Sequence, residues 1–171
     1  MPQPEIEQVR QRYQGRCGYC GVTEVSAGGT LTIDHYRPRA AGGNDEPDNL
    51  VYACVKCNQY KHDFWPTDED RQQQRRILHP LYDPIATHIA LDPQTGRLEA
   101  RTETGRFHIA LLRLNRPQLI KHRLSQQLQI ILSEKQRLLE QQLSALQQTV
   151  DAQERYIALL QAEITRLRST E

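Results

Sequence analysis

Apolar and polar positions change their period several times along the chain. Ile6 and Val9 are spaced to share one helical face, and Pro4 suits a first turn, so a short helix is predicted from Pro4 to Arg12. Gly15 ends it. Leu31-Thr32-Ile33 is short and β-branched and predicts a strand running into Asp34-His35; Leu50-Val51-Tyr52-Ala53 predicts a second. Between them, Pro38 to Pro47 holds two prolines and Gly42-Gly43 and reads as a loop. A helix is expected from Cys54 to about Phe64, stopped by Pro66, and Thr67 to Arg76 reads as a polar connector. His88 to Leu91 and Arg97 to Arg101 flank Asp92-Pro93-Gln94-Thr95-Gly96, which predicts a hairpin. Phe107 to Leu114 predicts a short apolar helix, and Asn115 the N-cap of the next.

From Pro117 to Arg168 there is no glycine and no further proline. A continuous helix over this stretch would extend about 78 Å. Its second half carries a heptad seam: Leu139, Leu143, Leu146, Val150, Gln153, Ile157, Leu160, Ile164 and Leu167 alternate spacings of four and three. In its first half Leu124, Leu128, Ile131, Leu132 and Leu138 form a broader apolar stripe, suited to packing on the head. A seam of this length calls for a cover. Parallel homodimer, antiparallel homodimer, heteromer and an arm folded back on its own head all satisfy the pattern.

Composition sharpens this division. Apolar residues are 37% of 171, low for a compact core, and 11 of the 20 glutamines follow Pro117. The 22 basic and 21 acidic side chains leave a formal charge of +1, which excludes recognition by bulk basicity but not by a local groove. No apolar run is long enough for a membrane span and no leader is evident at the N-terminus, so a reducing cytoplasm is the expected compartment. There, four cysteines are expected as metal ligands rather than disulfides.

Their spacing supports that expectation. Cys17-Gly18-Tyr19-Cys20 and Cys54-Val55-Lys56-Cys57 are two C-x2-C pairs, suited to one tetrahedral zinc. Four thiolates leave no open coordination position, so this Zn2+ would be structural. Between and after the pairs the chain is unusually polar: Asp34-His35-Tyr36-Arg37-Pro38-Arg39, then Gly42-Gly43, Asn49-Leu50 and Cys57-Asn58-Gln59-Tyr60-Lys61-His62. Phosphodiester hydrolysis needs a deprotonated water, neutralised oxygens and a held backbone. His35 suits the first task. Asp34 and Asn58 are oxygen donors for a hard divalent cation. His62, four residues after Asn58, would share its helical face and is a further candidate ligand. Arg37, Arg39, Lys56 and Lys61 could line a phosphate track.

This order of C-x2-C, D-H-x-x-P, a glycine-containing loop, N-L and C-x2-C-N-x-x-K resembles the HNH endonucleases. The match runs from about Cys17 to Trp65. It implies a ββα-metal core with His35 as general base, Asn49 holding the loop that orients it, Asn58 at the third signature position and Asp34 as a metal ligand. The pattern is an H-N-N variant. It further implies Mg2+ or Mn2+ as catalytic cation and DNA as substrate.

The expected architecture is α+β: a zinc-stabilised nuclease head over residues 1–70, a connector with hairpin and short helix over 71–115, and a long coiled-coil arm over 116–171. The expected function is metal-dependent cleavage of DNA, as a nuclease effector of a prokaryotic defence or mobile-element system, working as a homodimer or with a larger partner protein. A catalytically inactive DNA-binding module and a coiled-coil adaptor are the alternatives.

Overall fold

The computed structural model describes residues 3–169. It is α+β, with two small antiparallel sheets and a long C-terminal helix. In chain order the elements are α1 (Gln3–Arg12), α2 (Glu24–Ala27), β1 (Thr32–His35), β2 (Leu50–Ala53), α3 (Val55–Lys61), α4 (Asp68–Gln72), α5 (Ile85–His88), β3 (Ile89–Leu91), β4 (Leu98–Ala100), α6 (Glu103–Leu111) and α7 (Pro117–Arg168). None of the described helices is long and apolar enough to cross a membrane.

The chain divides into two compact units, residues 1–125 and 126–171. In the first, one buried cluster joins α1, the cysteine knuckles, β2 and the stretch from Ile77 to Leu119. Val9 and Tyr13 come from α1, Leu50 to Ala53 from β2, and Leu112, Leu114 and Leu119 from the region around the start of α7. All four β2 residues are buried, so this strand is the centre of the unit. The strand buries both of its faces, which explains its continuous rather than alternating apolar sequence.

β1 and β2 pair antiparallel, with Asp34 opposite Val51 and His35 opposite Leu50. The first knuckle is stitched onto the same strand, because Gly18 N–H donates to Tyr52 O at 2.8 Å. Only glycine fits there: a Cβ at position 18 would lie 2.6 Å from the Tyr13 ring. The Tyr52 hydroxyl accepts from Leu31 N–H and bonds to Glu24, which pairs with Arg10 at 2.7 Å. These contacts tie α1, α2 and β2 together.

Several elements differ from the sequence expectation. α3 ends at Lys61 rather than near Phe64, because His62 takes φ +48° and terminates it. The polar connector contains α4, whose Thr67 and Asp70 form a reciprocal capping box. α6 begins earlier than predicted, since the Thr102 side chain accepts from Gly105 N–H and caps it. Asn115 is not an N-cap. Its amide instead exchanges two hydrogen bonds with the Leu98 backbone, at 2.7 and 2.8 Å, and so extends the β4 edge. Arg123 donates to Gly96 O and Leu114 O, which packs the first turns of α7 against the hairpin turn.

Within the second unit, seam residues from Leu139 to Ile164 are exposed on the helix. Leu128, Ile131, Leu132 and Leu138 of the earlier stripe are exposed as well.

Candidate nuclease site and zinc frame

The two C-x2-C pairs meet in space. Their four sulfurs lie within 4.8 Å of one another, and Cys20 and Cys54 Sγ are 3.8 Å apart. Zn–S bonds of about 2.3 Å place tetrahedral sulfurs about 3.8 Å apart, so the donor set fits zinc. Cys54 also begins α3, where its Sγ accepts from Cys57 N–H. The Arg116 guanidinium lies 3.8 Å from Cys54 Sγ and 3.7 Å from Cys57 Sγ. A cation there offsets the net negative charge of four thiolates around one divalent ion.

The second site lies at the end of β1. A cleft of about 440 Å3 is lined by Ile33, Asp34, His35, Pro38, Arg39, Ala40, Asn58, Gln59, His62 and Asp63. It gathers Asp34 and His35 from β1, Asn58 from α3 and His62 from just beyond it, because α3 packs across β1. Asn58 Nδ2 donates to Thr32 Oγ1 at 3.2 Å, which fixes the amide against the start of β1.

Asp34 is 6% exposed. Its Oδ2 accepts from the Tyr19 hydroxyl at 2.6 Å and its Oδ1 from Lys61 Nζ at 3.1 Å. Burial pushes this carboxyl above its usual range, and the Lys61 ammonium and the Tyr19 hydroxyl pull it back. Each oxygen keeps a second lone pair, so the carboxylate retains acceptor capacity for a cation. Tyr19 sits between the two cysteines of the first knuckle. The zinc frame and this aspartate are thus one residue apart.

His35 projects from the last position of β1. Its Nε2 is 2.6 Å from Asp45 Oδ1. The same carboxylate receives Arg39 Nη2 on both oxygens, at 2.7 and 2.8 Å. Arg39, and then His35, hold Asp45 below the usual carboxylate range.

Asn49 clasps the loop shut. Its Oδ1 accepts from Arg37 N–H at 2.7 Å, and its Nδ2 donates to Arg37 O at 3.0 Å and Asn44 O at 2.7 Å. Its own carbonyl accepts from Tyr36 N–H. Gly43 lies inside this clasp: a Cβ there would come within 1.8 Å of Arg37 O and 2.9 Å of Asn49 Nδ2. Outside the clasp, Asp48 receives Arg12 at 2.7 Å, and Tyr36 OH donates to Ile77 O at 2.7 Å. Trp65 packs edge-on against Tyr36 at 5.7 Å, and the Arg37 guanidinium lies 5.5 Å over its ring.

Of the four basic residues expected along a phosphate track, Lys61 is turned inward, while Arg37, Arg39 and Lys56 are exposed. Lys61 is 1% exposed, with its ammonium on Asp34 Oδ1 and on His35 O at 2.6 Å, so it faces the interior. The reason is geometric: Asn58 and Lys61 are three apart on α3, and the turn that lays Asn58 beside β1 also turns Lys61 beneath it. Lys56 lines a separate cleft of about 420 Å3 with Cys54, Tyr60, Arg116 and His122. Arg39 is committed to Asp45, while Arg37 is exposed and donates to Ala41 O. His62 lies past the end of α3, so it reaches the cleft from outside the helix and its side chain is exposed. Sequence patterns did not single out Tyr19, Asp45 or Arg116. Tyr19 carried one signal, its place inside a zinc knuckle; the other two are ordinary charged loop residues.

Known proteins resemble this part of the chain. The family model described as HNH endonuclease matches residues 17–64. The matched segment begins at the first zinc-knuckle cysteine and closes just after α3, so it holds both the four thiols and the cleft around His35. Septu protein PtuA of Bacillus mycoides (strain KBAB4) is similar to this chain, with 27% identity over 145 residues. The alignment covers 69% of this chain and 20% of that relative, so the chain spans about a fifth of the relative's length. No solved structure matches.

Proposed function

We propose that this protein is a metal-dependent HNH endonuclease that hydrolyses DNA phosphodiester bonds. One observation carries the proposal: the HNH match coincides with a cleft that gathers Asp34, His35 and Asn58. His35 takes the proton of the attacking water. Asn49 holds the loop that places His35. Asp34 and Asn58, with His62 at the rim, are the ligands offered to Mg2+ or Mn2+; such an ion would stabilise charge on the scissile phosphate and on the leaving oxygen. The four cysteines hold a structural Zn2+. Arg37 and Arg39 are the basic residues near enough to the cleft to meet the backbone of DNA, and Lys56 extends that contact over the neighbouring cleft.

The chain then divides by role into the nuclease head (1–70), the connector (71–115) and the arm (116–171). The exposed heptad seam of α7 is the expected dimer interface, and a two-fold pair of heads would supply one site per DNA strand. A larger partner protein on the same arm would instead deliver the head to its target. Similarity to Septu protein PtuA supports a place as nuclease effector in a prokaryotic defence system; a mobile-element system is the other setting such a nuclease would serve, and the cytoplasm is the location that goes with either.

One observation favours a second reading, a DNA-binding module that does not cut: both Asp34 oxygens already accept hydrogen bonds from side chains within the protein. Supercoiled plasmid incubated with the protein and Mg2+ or Mn2+ separates the two. Nicking or linearisation that EDTA abolishes and His35→Ala removes, with zinc content unchanged, supports the nuclease. Retarded but uncut plasmid supports the second reading.

A further inference from the structure

We propose that Asp45 is the positioning residue of His35, holding the imidazole in a single tautomer and orientation through a carboxylate that Arg39 and Asn49 fix in place. The proposal rests on the assignment of His35 as general base.

Asp45 belongs to no motif in the sequence. In the folded chain its Oδ1 is 2.6 Å from His35 Nε2. An ionised carboxylate only accepts hydrogen bonds, so the ring nitrogen facing it carries the hydrogen. Nδ1 is then the nitrogen with the free lone pair. A proton taken from water goes to Nδ1: one O–H bond breaks, one N–H bond forms, and the hydroxide keeps the electron pair. The imidazolium that results lies against the Asp45 carboxylate, which stabilises it.

Two further groups keep the carboxylate where it is. Arg39 Nη2 reaches both oxygens, at 2.7 and 2.8 Å, and Arg39 Nε reaches Oδ1 at 3.1 Å, three charge-assisted contacts that restrain the carboxylate. Asn49 Nδ2 holds the carbonyl of Asn44, the residue before Asp45, at 2.7 Å. The clasp made by Asn49 therefore reaches His35 through a named route: Asn44 backbone, Asp45 carboxylate, imidazole. Among the described residues, Asp34 and Lys61 bond to each other beside His35, and His62 and Asp63, which pair at 3.4 Å, line the same cleft.

The test uses the full zinc-loaded chain. Histidine side-chain 1H–15N spectra identify directly which ring nitrogen carries the hydrogen. Wild type is expected to show a downfield, exchange-protected His35 Nε2–H. Asp45→Ala is expected to lose it, and Asp45→Asn, which keeps an acceptor oxygen, to retain it at a less downfield shift. In plasmid cleavage, Asp45→Ala should lower kcat about 10- to 100-fold with KM unchanged, and Asp45→Asn should fall between. Zinc content and the thermal midpoint establish that each variant is folded. A wild-type His35 without a protected Nε2–H overturns the proposal, as does Asp45→Ala cutting at the wild-type kcat. A protected Nε2–H that vanishes in Asp45→Ala, in a protein that cuts nothing with any metal, upholds the pairing and overturns the nuclease assignment instead.

Discussion

Lys61 Nζ and Asp34 Oδ1 meet at 3.1 Å, with the Lys61 side chain wholly buried and Asp34 6% exposed at the edge of the cleft. The ammonium also holds the carbonyl of His35 at 2.6 Å, so one buried cation fixes the two consecutive residues that end β1. Burial lowers the pKa of Lys61 and raises that of Asp34, and their mutual attraction opposes both shifts. Removing only the cation leaves a buried carboxylate without its counter-charge. Lys61→Met is expected to cost about 3–5 kcal/mol in urea unfolding. A loss below about 1 kcal/mol would show that the pair is open to water.

Asn49 makes three hydrogen bonds to loop backbone. Asn49→Ala is expected to destabilise the protein by about 1–3 kcal/mol. The same variant should speed hydrogen exchange at the Arg37 amide, whose acceptor is lost, while the amides of β2 keep their protection. Uniform loss of protection would mean global unfolding rather than an opened loop.

The zinc frame predicts chemistry of its own. Thiol-reactive reagent should titrate four cysteines only after a strong chelator is added, with release of one zinc per chain. Arg116, at 3.7 and 3.8 Å from two of the sulfurs, offsets thiolate charge. Arg116→Gln should therefore weaken zinc retention about 10-fold or more in a chelator competition. Unchanged retention would reduce Arg116 to a packing role over the Tyr60 ring.

His108 gives a pH dependence with a definite sign. It is 3% exposed, and burial pushes its pKa down from 6.5 to about 4. Its Nδ1 accepts from Leu78 N–H at 3.0 Å, a bond that protonation destroys. The unfolded chain binds a proton here before the folded chain does, so the neutral ring stabilises the fold fully above about pH 6.5. That contribution falls as pH drops and is lost below about pH 4, a total of about 3 kcal/mol. Cysteine protonation and zinc loss also act in acid. The diagnostic quantity is thus the stability difference between wild type and His108→Gln, which should shrink from pH 7 toward pH 4. A difference independent of pH would sink the assignment.

The arm is tested by mass. Light scattering of the wild type should give twice the 19.8 kDa chain, and Leu143→Lys with Val150→Lys should give one. A wild-type monomer at micromolar concentration excludes the homodimer and leaves the larger partner.

The parts of the structure legible in the sequence were those fixed by local rules. β1 and β2 follow from short β-branched or apolar runs between punctuating glycines and prolines, and the cysteine frame follows from its spacing. The α7 helix follows from the absence of any breaker. What the sequence concealed depends on where a side chain faces once the strands pair. Lys61 reads as a surface lysine by type, yet α3 turns it under β1. Asp45 reads as a loop acid, and only loop closure by Asn49 brings it to His35. Asn115 has the residue type of a cap, but the β4 edge needed its amide more. His62 reads as sharing a helical face with Asn58, yet α3 stops at Lys61 and the His62 backbone enters positive φ, so His62 lines the cleft from just past the helix end.

Trp65 is the chain's sole tryptophan, and it rests on Tyr36 and under Arg37 at the root of the loop that carries the His35 contacts. Its fluorescence is therefore a native optical gauge of that loop, free of background from any other indole. Emission and quenching can follow loop opening, cation addition or DNA arrival in real time, on unlabelled protein and on variants that no longer cut.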